Sequence, residues 1–276
     1  MSDFKTIAIT SGKGGVGKTH LSVAASIEWA RCGQRVILVD IDLNTPNAHI
    51  YLSVKDPRWT LKDVLKGSCS LEDALIEIPE SNWGGTQGNP GGSLHLLPGS
   101  VDRADLLEMS LADHKHLQSM LDDQKHRADL IVFDTGAGVD HHLLLCCDYC
   151  EEVLVVTNSE ASSRSDAVTV LFCLAVLDSK PSRWLVPNLV EDQVQGRRLF
   201  DHFQQKTNDK ELKWAGAIRE DGSLRDAAMI GKLVSIEEPG SNAAMDIRNI
   251  ARKVLEVAAG ETDGEFIRRI DDIISG

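Results

Sequence analysis

Short runs of Val, Ile and Leu recur along the chain, separated by longer stretches in which apolar positions return every three or four residues. The first pattern belongs to strands buried on both faces, the second to helices with one apolar side. The runs place strands at 6–10, 35–40, 94–97, 130–134, 152–157, 183–189 and 214–218. The helical period places helices at 21–30, 71–78, 114–124, 167–177, 196–205 and 243–257. Strand and helix alternate, which predicts an α/β fold with a mostly parallel, twisted sheet of about seven to eight strands and helices on both faces.

A chain of 276 residues can bury a large core, and residues 1–259 read as one domain. Within it, residues 80–93 form a Gly-rich insertion whose sequence, Ser-Asn-Trp-Gly-Gly-Thr-Gln-Gly-Asn-Pro-Gly-Gly, has too little apolar surface for anything but a mobile loop. Residues 260–276 read as a glycine-bounded hinge and a short amphipathic helix. Phe266, Ile267, Ile270, Ile273 and Ile274 would share one face of it.

Composition narrows the classes of function. With 29 Lys and Arg against 42 Asp and Glu, the formal charge is −13, which repels the backbone of nucleic acid and makes a nucleic-acid partner unexpected. No apolar run approaches the roughly 18 residues needed to span a bilayer. Six cysteines stand without an even framework and without a signal peptide, which points to reduced thiols and a cytoplasmic setting. Cys147-Asp-Tyr-Cys150 is formally a CxxC pair, but its place between an apolar helix and a strand reads as core packing.

Chemistry enters where the first strand runs into Ser11-Gly12-Lys13-Gly14-Gly15-Val16-Gly17-Lys18-Thr19 and a helix then opens. Gly-x₄-Gly-Lys-Thr between strand and helix is a P-loop, so the chain reads as a single-domain P-loop NTPase that binds ATP and Mg²⁺. Glycines let successive amides turn toward phosphate oxygens, and the helix start adds its positive end. The nucleotide-contacting set is Gly12, Gly14, Gly15, Val16, Gly17, Lys18, Thr19 and His20, with Lys18 on the β- and γ-phosphates and the Thr19 hydroxyl on Mg²⁺.

Two acidic strand ends accompany the loop. Asp40 and Asp42 close the second strand at the carboxyl edge of the sheet, where open α/β folds bind ligands. Either can serve Mg²⁺ through water or orient an attacking water, and an Asp at a strand end can also simply begin a turn. Asp134 ends the apolar run 130–134, followed by Thr135-Gly136-Ala137-Gly138, an arrangement like Walker B. Asp134 would hold the water shell of Mg²⁺, and an amide of the glycine turn would sense the γ-phosphate.

With these residues in place, nearly the whole chain resembles the MinD/ParA family of deviant Walker A ATPases, in particular its MinD-like branch, which includes the flagellar-number regulators. Lys13 matches the family's signature lysine, and the resemblance implies that it reaches the phosphates of a partner subunit. Asp40 and Asp42 match the first switch, with Asp42 implied to position water, and Asn47 matches the polar residue that follows. Leu61-Lys-Asp-Val-Leu-Lys-Gly67, Leu94-His-Leu-Leu-Pro-Gly99 and Asp134-Thr-Gly-Ala-Gly138 resemble MinD segments in the same order. So does Val156-Thr-Asn-Ser-Glu160 with Ser162, Ser163 and Asp166, although Ser159 stands where proline is usual.

The resemblance further implies adenine contacts from Asn188 and from Ile218-Arg219-Glu220-Asp221, with Pro187 before Asn188 and Arg219 in place of proline as departures. It makes Lys13, Lys18 and Asp42 the catalytic set, and Thr19, Asp40 and Asp134 the metal set, the two acids acting through water. It implies an ATP-dependent homodimer, slow turnover raised by an activating protein, and contact with the inner face of the membrane through the C-terminal helix. The output would be spatial placement of division, flagellar, pilus or chemotaxis machinery. The N-terminal extension of the flagellar regulators has no counterpart ahead of the first strand, an expectation that favours a plain MinD-like role. The alternatives are an iron–sulfur carrier or reductase relative on the same fold and a ParA-like partitioner on DNA, the latter opposed by the −13 charge.

Overall fold

In the computed structural model, the described residues are 4–84, 91–100 and 109–258. Their strands are β1 (Lys5–Ser11), β2 (Arg35–Ile41), β3 (Ile76–Glu77), β4 (Ser93–Leu97), β5 (Leu130–Ala137), β6 (Glu152–Thr157), β7 (Ser182–Val190), β8 (Lys213–Trp214) and β9 (Ile218–Arg219). Their helices are α1 (Lys18–Arg31), α2 (Ala48–Tyr51), α3 (Leu61–Leu65), α4 (Leu71–Ala74), α5 (Glu80–Trp83) and α6 (Leu111–Asp122). The series continues with α7 (His141–Tyr149), α8 (Ala161–Ala175), α9 (Gln193–Thr207), α10 (Gly222–Met229), α11 (Val234–Glu237) and α12 (Asn242–Ala258).

The strands join in the order β3-β4-β2-β5-β1-β6-β7-β8, with β9 paired to β7. Every pair is parallel except β3 with β4. Alternation along the central strands divides two cores. Ile7, Ile9, Val36, Leu38, Leu130, Val132, Leu154 and Val156 face the layer of α1 and α12. Ala8, Ile37, Val39, Ile131, Phe133, Val153 and Val155 face the layer of α6 to α9. Both faces are covered, as the continuous apolar runs require, and the expected α/β class is what forms.

Three elements differ from their expected form. The helix expected at 71–78 stops at Ala74, because the Ser70–Asp73 capping box secures a single turn and Leu75 is already extended. Ile76–Glu77 then pairs antiparallel with Leu96 and His95 as an edge strand. The strand expected at 214–218 is two strands, broken at Gly216, whose φ of +132° lies outside the reach of ordinary strand residues. The insertion expected at 80–93 begins as the helical turn α5. Its Trp83 is buried and donates its indole N–H to the Ile78 carbonyl at 3.0 Å, so this part is anchored. Residues 85–90 of the insertion and the expected helix within 260–276 lie outside the described residues.

Cys146, Cys147 and Cys150 are buried in the core beneath α7. Burial raises the thiols of Cys147 and Cys150 well above the ordinary range, which disfavours the thiolate form that metal binding or redox chemistry uses.

Candidate active site

The parallel strands deliver the loop, both acidic segments and the end of β7 to one edge of the sheet. There they border a cleft of about 790 Å³, a size suited to a nucleotide. β1 gives way to the P-loop at Ser11, and α1 begins at Lys18 with Gly17 before it in the left-handed conformation, φ +91°. A Cβ on Gly17 would stand 2.3 Å from Asn188 Nδ2, and one on Gly12 would strike the Asp166 backbone at 2.4 Å. The loop is thus wedged between β7 and α8. Its outer turn is open, with nothing within 4 Å of the Cβ positions of Gly14 and Gly15.

Lys18 is 7% exposed and donates to Asp134 Oδ1 at 2.8 Å, with Asp42 Oδ2 4.0 Å away. Burial pulls its pKa down, but the charge and hydrogen bond of Asp134, aided by Asp42 and Asp40, outweigh that and leave it raised. The ammonium is therefore held charged at the cleft floor. Asp134 is fully buried. Its Oδ1 also accepts from Ser22 Oγ at 2.9 Å, and its Oδ2 has no partner among the described residues.

Asp40 accepts the amides of Ala48 and Asp42, at 3.0 and 3.2 Å, and so shapes the segment leading into α2. Burial, then the charge of Asp134, pushes its carboxyl up to about 8. One lysine cannot neutralise two buried acids as carboxylates, and with burial this is why Asp40 holds its proton more tightly. A buried carboxylate oxygen without a donor, on the acid that holds Lys18, whose ammonium also lies 3.4 Å from the Thr19 hydroxyl, fits the water shell of Mg²⁺. Thr19, Asp40 and Asp134 would hold that ion, which when bound supplies Lewis-acid charge at the β- and γ-phosphates.

Asp42 lines the cleft and accepts the amides of Asn44 and Thr45 at 3.1 and 3.0 Å, so it opens a turn while facing the site. Asn47 also lines the cleft. His20 does as well, but as a buried neutral ring. Its Nε2 accepts from the Val234 amide at 3.4 Å, which places the proton on Nδ1, and burial lowers its pKa to about 4. Its ring meets Tyr51 edge-on at 5.4 Å.

Lys13, by contrast, is not among the residues lining the cleft. It stands at the rim with Nζ 2.5 Å from Glu160 Oε2 and 2.9 Å from Ser162 Oγ.

At the far end, Asn188 binds inward. Its Nδ2 donates to the Val16 carbonyl at 2.6 Å and its Oδ1 accepts the Leu189 amide at 2.9 Å. Glu220 and Asp221 border the cleft. Asp221 caps α10 through the Ser223 amide and accepts weakly from Ala243. Arg219, expected beside the base, is not among the residues that border the cleft. Its guanidinium turns away onto Asp246 of α12, at 2.8 and 2.9 Å, because that carboxylate is 6% exposed and needs a cation. The Gly138 amide, one of those expected to sense phosphate, donates instead to the Ser11 carbonyl.

Sequence reasoning missed Ser22 and the wall supplied by Tyr51, Leu224, Ala228 and Met229. Ser22 carries a faint signal, a polar residue one turn beyond Lys18 on the helix that the loop opens. The wall carries none, since apolar residues there read as core.

Comparison with known proteins agrees with this geometry. Residues 4–174 match the AAA domain model AAA_31. The antiactivator FleN of Pseudomonas aeruginosa is 30% identical over 92% of this chain and 87% of its own length. The septum site-determining protein MinD of Bacillus subtilis is 25% identical over 91% and 89%. MinD of Pyrococcus horikoshii, solved with Mg-ADP, superposes with a TM-score of 0.74 at 27% identity, covering 94% of this chain and 99% of that one. The chain belongs to the MinD/ParA family of P-loop ATPases.

As a member of the MinD/ParA family it is an ATP hydrolase, and its cofactors are ATP and Mg²⁺. Lys18, the loop residues Gly14, Gly15 and Gly17, and Asp42 all border the cleft that the nucleotide would occupy. Among the described residues no helix is long and apolar enough to cross a membrane.

Proposed function

We propose that this ATPase is a nucleotide-controlled switch that homodimerises on binding ATP and turns over slowly until a protein partner activates it. The observation that carries the reading is the contrast between the two loop lysines. Lys18 is buried at the cleft floor, whereas Lys13, on the same loop, stays 39% exposed outside it. A cation on the outer rim, outside the cleft of its own chain, would meet a nucleotide presented by a second subunit. Nucleotide state would then bias assembly, because hydrolysis removes the phosphate that the second ammonium bridges.

Relatives named for septum-site determination and for flagellar antiactivation support an output of the same kind, the placement of a cellular machine. The C-terminal segment 260–276 would contribute attachment to the inner face of the membrane, an attachment doubled by dimerisation.

Light scattering on the full chain tests the switch directly. Asp42→Ala should form a dimer in ATP and Mg²⁺ and hydrolyse no ATP, while ADP leaves it monomeric. A mass that ignores nucleotide state would remove the switch, and full turnover in Asp42→Ala would exclude that residue as the water-orienting acid.

A further inference from the structure

Leu189 has φ +56°, the one apolar non-glycine residue with a positive φ among the described residues, where its companions are Ser53, Asp56, Lys180 and Asn208. A branched side chain is a poor occupant of the left-handed region. The cause lies in strand pairing. Asn188 of β7 faces Ile218 of β9, and the next pair is Val190 with Arg219, so β7 spends two steps against one and Leu189 is the extra residue of a bulge.

The bulge redirects the side chain. Asn188 and Val190 are 3% and 0% exposed, while Leu189 between them is 36% exposed and lines the cleft. Its position is fixed to the phosphate loop through Asn188, which takes the Leu189 amide with one end of its carboxamide and holds the Val16 carbonyl with the other. Ile218, Leu224, Ala228, Met229 and Ile247 add apolar surface to the same cleft, beside the charged Glu220, Asp221 and Arg225.

A leucine that adopts an unfavourable backbone and still leaves 36% of its surface exposed in the cleft gives the fold less than a fully packed one would. Strain of this kind is retained where a ligand uses it. We infer that Leu189 is the shelf on which the purine ring of the nucleotide lies, and that its left-handed backbone is kept for this contact at the expense of stability. The inference rests on the nucleotide reading of the cleft and adds the residue that sets base affinity.

Calorimetric titration of the full-length protein with ATP and, separately, with inorganic tripolyphosphate, both in Mg²⁺, isolates the base from the phosphates. Leu189→Gly should weaken ATP about tenfold or more, the size expected for losing a leucine contact. It should leave tripolyphosphate within about twofold. Leu189→Ala should weaken ATP similarly but unfold at a lower temperature than Leu189→Gly, because both lose the same side-chain packing and only glycine accepts the left-handed backbone freely. Unchanged ATP affinity in Leu189→Gly overturns the shelf, and an unfolding temperature of Leu189→Gly at or below that of Leu189→Ala overturns the claim of strain. If the wild type binds tripolyphosphate as tightly as ATP, the base makes no contact and the shelf is overturned while the phosphate site stands. Binding of neither ligand removes the nucleotide reading and the shelf with it.

Discussion

The ammonium of Lys13 lies 2.5 Å from the carboxylate of Glu160, at the start of α8 in the same chain. The pair joins the rim of the phosphate loop to the segment that follows β6. Any role for Lys13 in a second subunit therefore begins with exchange of this partner. Both side chains are largely exposed, at 39% and 58%, and such pairs contribute about 0–1 kcal/mol, so the exchange is cheap.

Lys13→Ala should accordingly unfold within about 1 kcal/mol of the wild type, still bind ATP through Lys18, and remain monomeric in ATP and Mg²⁺. Denaturant titration, calorimetry and light scattering read the three quantities. An ATP-dependent dimer of wild-type extent would take Lys13 out of the interface.

His20 should make stability depend on pH. Its folded pKa, about 4, lies below the ordinary 6.5, so the unfolded chain binds the extra proton between those values. The contribution is fully present above pH 6.5 and is lost as pH falls toward 4, by up to about 3 kcal/mol. His114, lowered to about 4 by burial and by His142, acts in the same window. Urea denaturation of His20→Gln between pH 4 and 7 should show a shallower acid-side slope than the wild type. An identical slope would mean that the ring titrates normally.

Arg219→Ala should separate structure from binding. Removing the guanidinium strands a nearly buried Asp246, so a loss of about 1–3 kcal/mol is expected. ATP affinity should hold within about twofold under conditions where the variant is folded, since losses of this size are local to α12 and β9. A large drop in affinity would return Arg219 to the base pocket.

Ser22→Ala should act through Asp134, which keeps the Lys18 contact but loses its other donor. A net hydrogen bond of about 1 kcal/mol implies a several-fold rise in the Mg²⁺ concentration needed for ATP binding. Nucleotide binding without the metal should change little. Magnesium titrations at fixed ATP distinguish this from a packing defect, which would lower both.

The phosphate end of the site was legible because its chemistry is local. Lys18, Thr19 and the glycines are neighbours in sequence, and the strand before them is marked by unbroken apolar residues. Asp40 and Asp134 were legible because each ends such a run at the same edge of the sheet. The rest of the cleft was not, since it is assembled from β7, β9, α10 and α12, whose meeting depends on one bulge and one buried ion pair. Arg219 shows the difficulty. Its neighbours in sequence point to the cleft, but the demand of Asp246, 27 residues away, decides where its side chain goes. Ile76 and Glu77 were misassigned for the opposite reason. Two residues carry too little periodicity to announce a strand, and only the exposed edge of β4 makes them one.

That short strand has a counterpart in β8, also two residues long, on the opposite margin of the sheet. Long unpaired margins invite a neighbouring chain to add itself as another strand, and margins this brief offer almost no template. A molecule edged in this way can stay free of fibrous aggregates while its nucleotide face remains open.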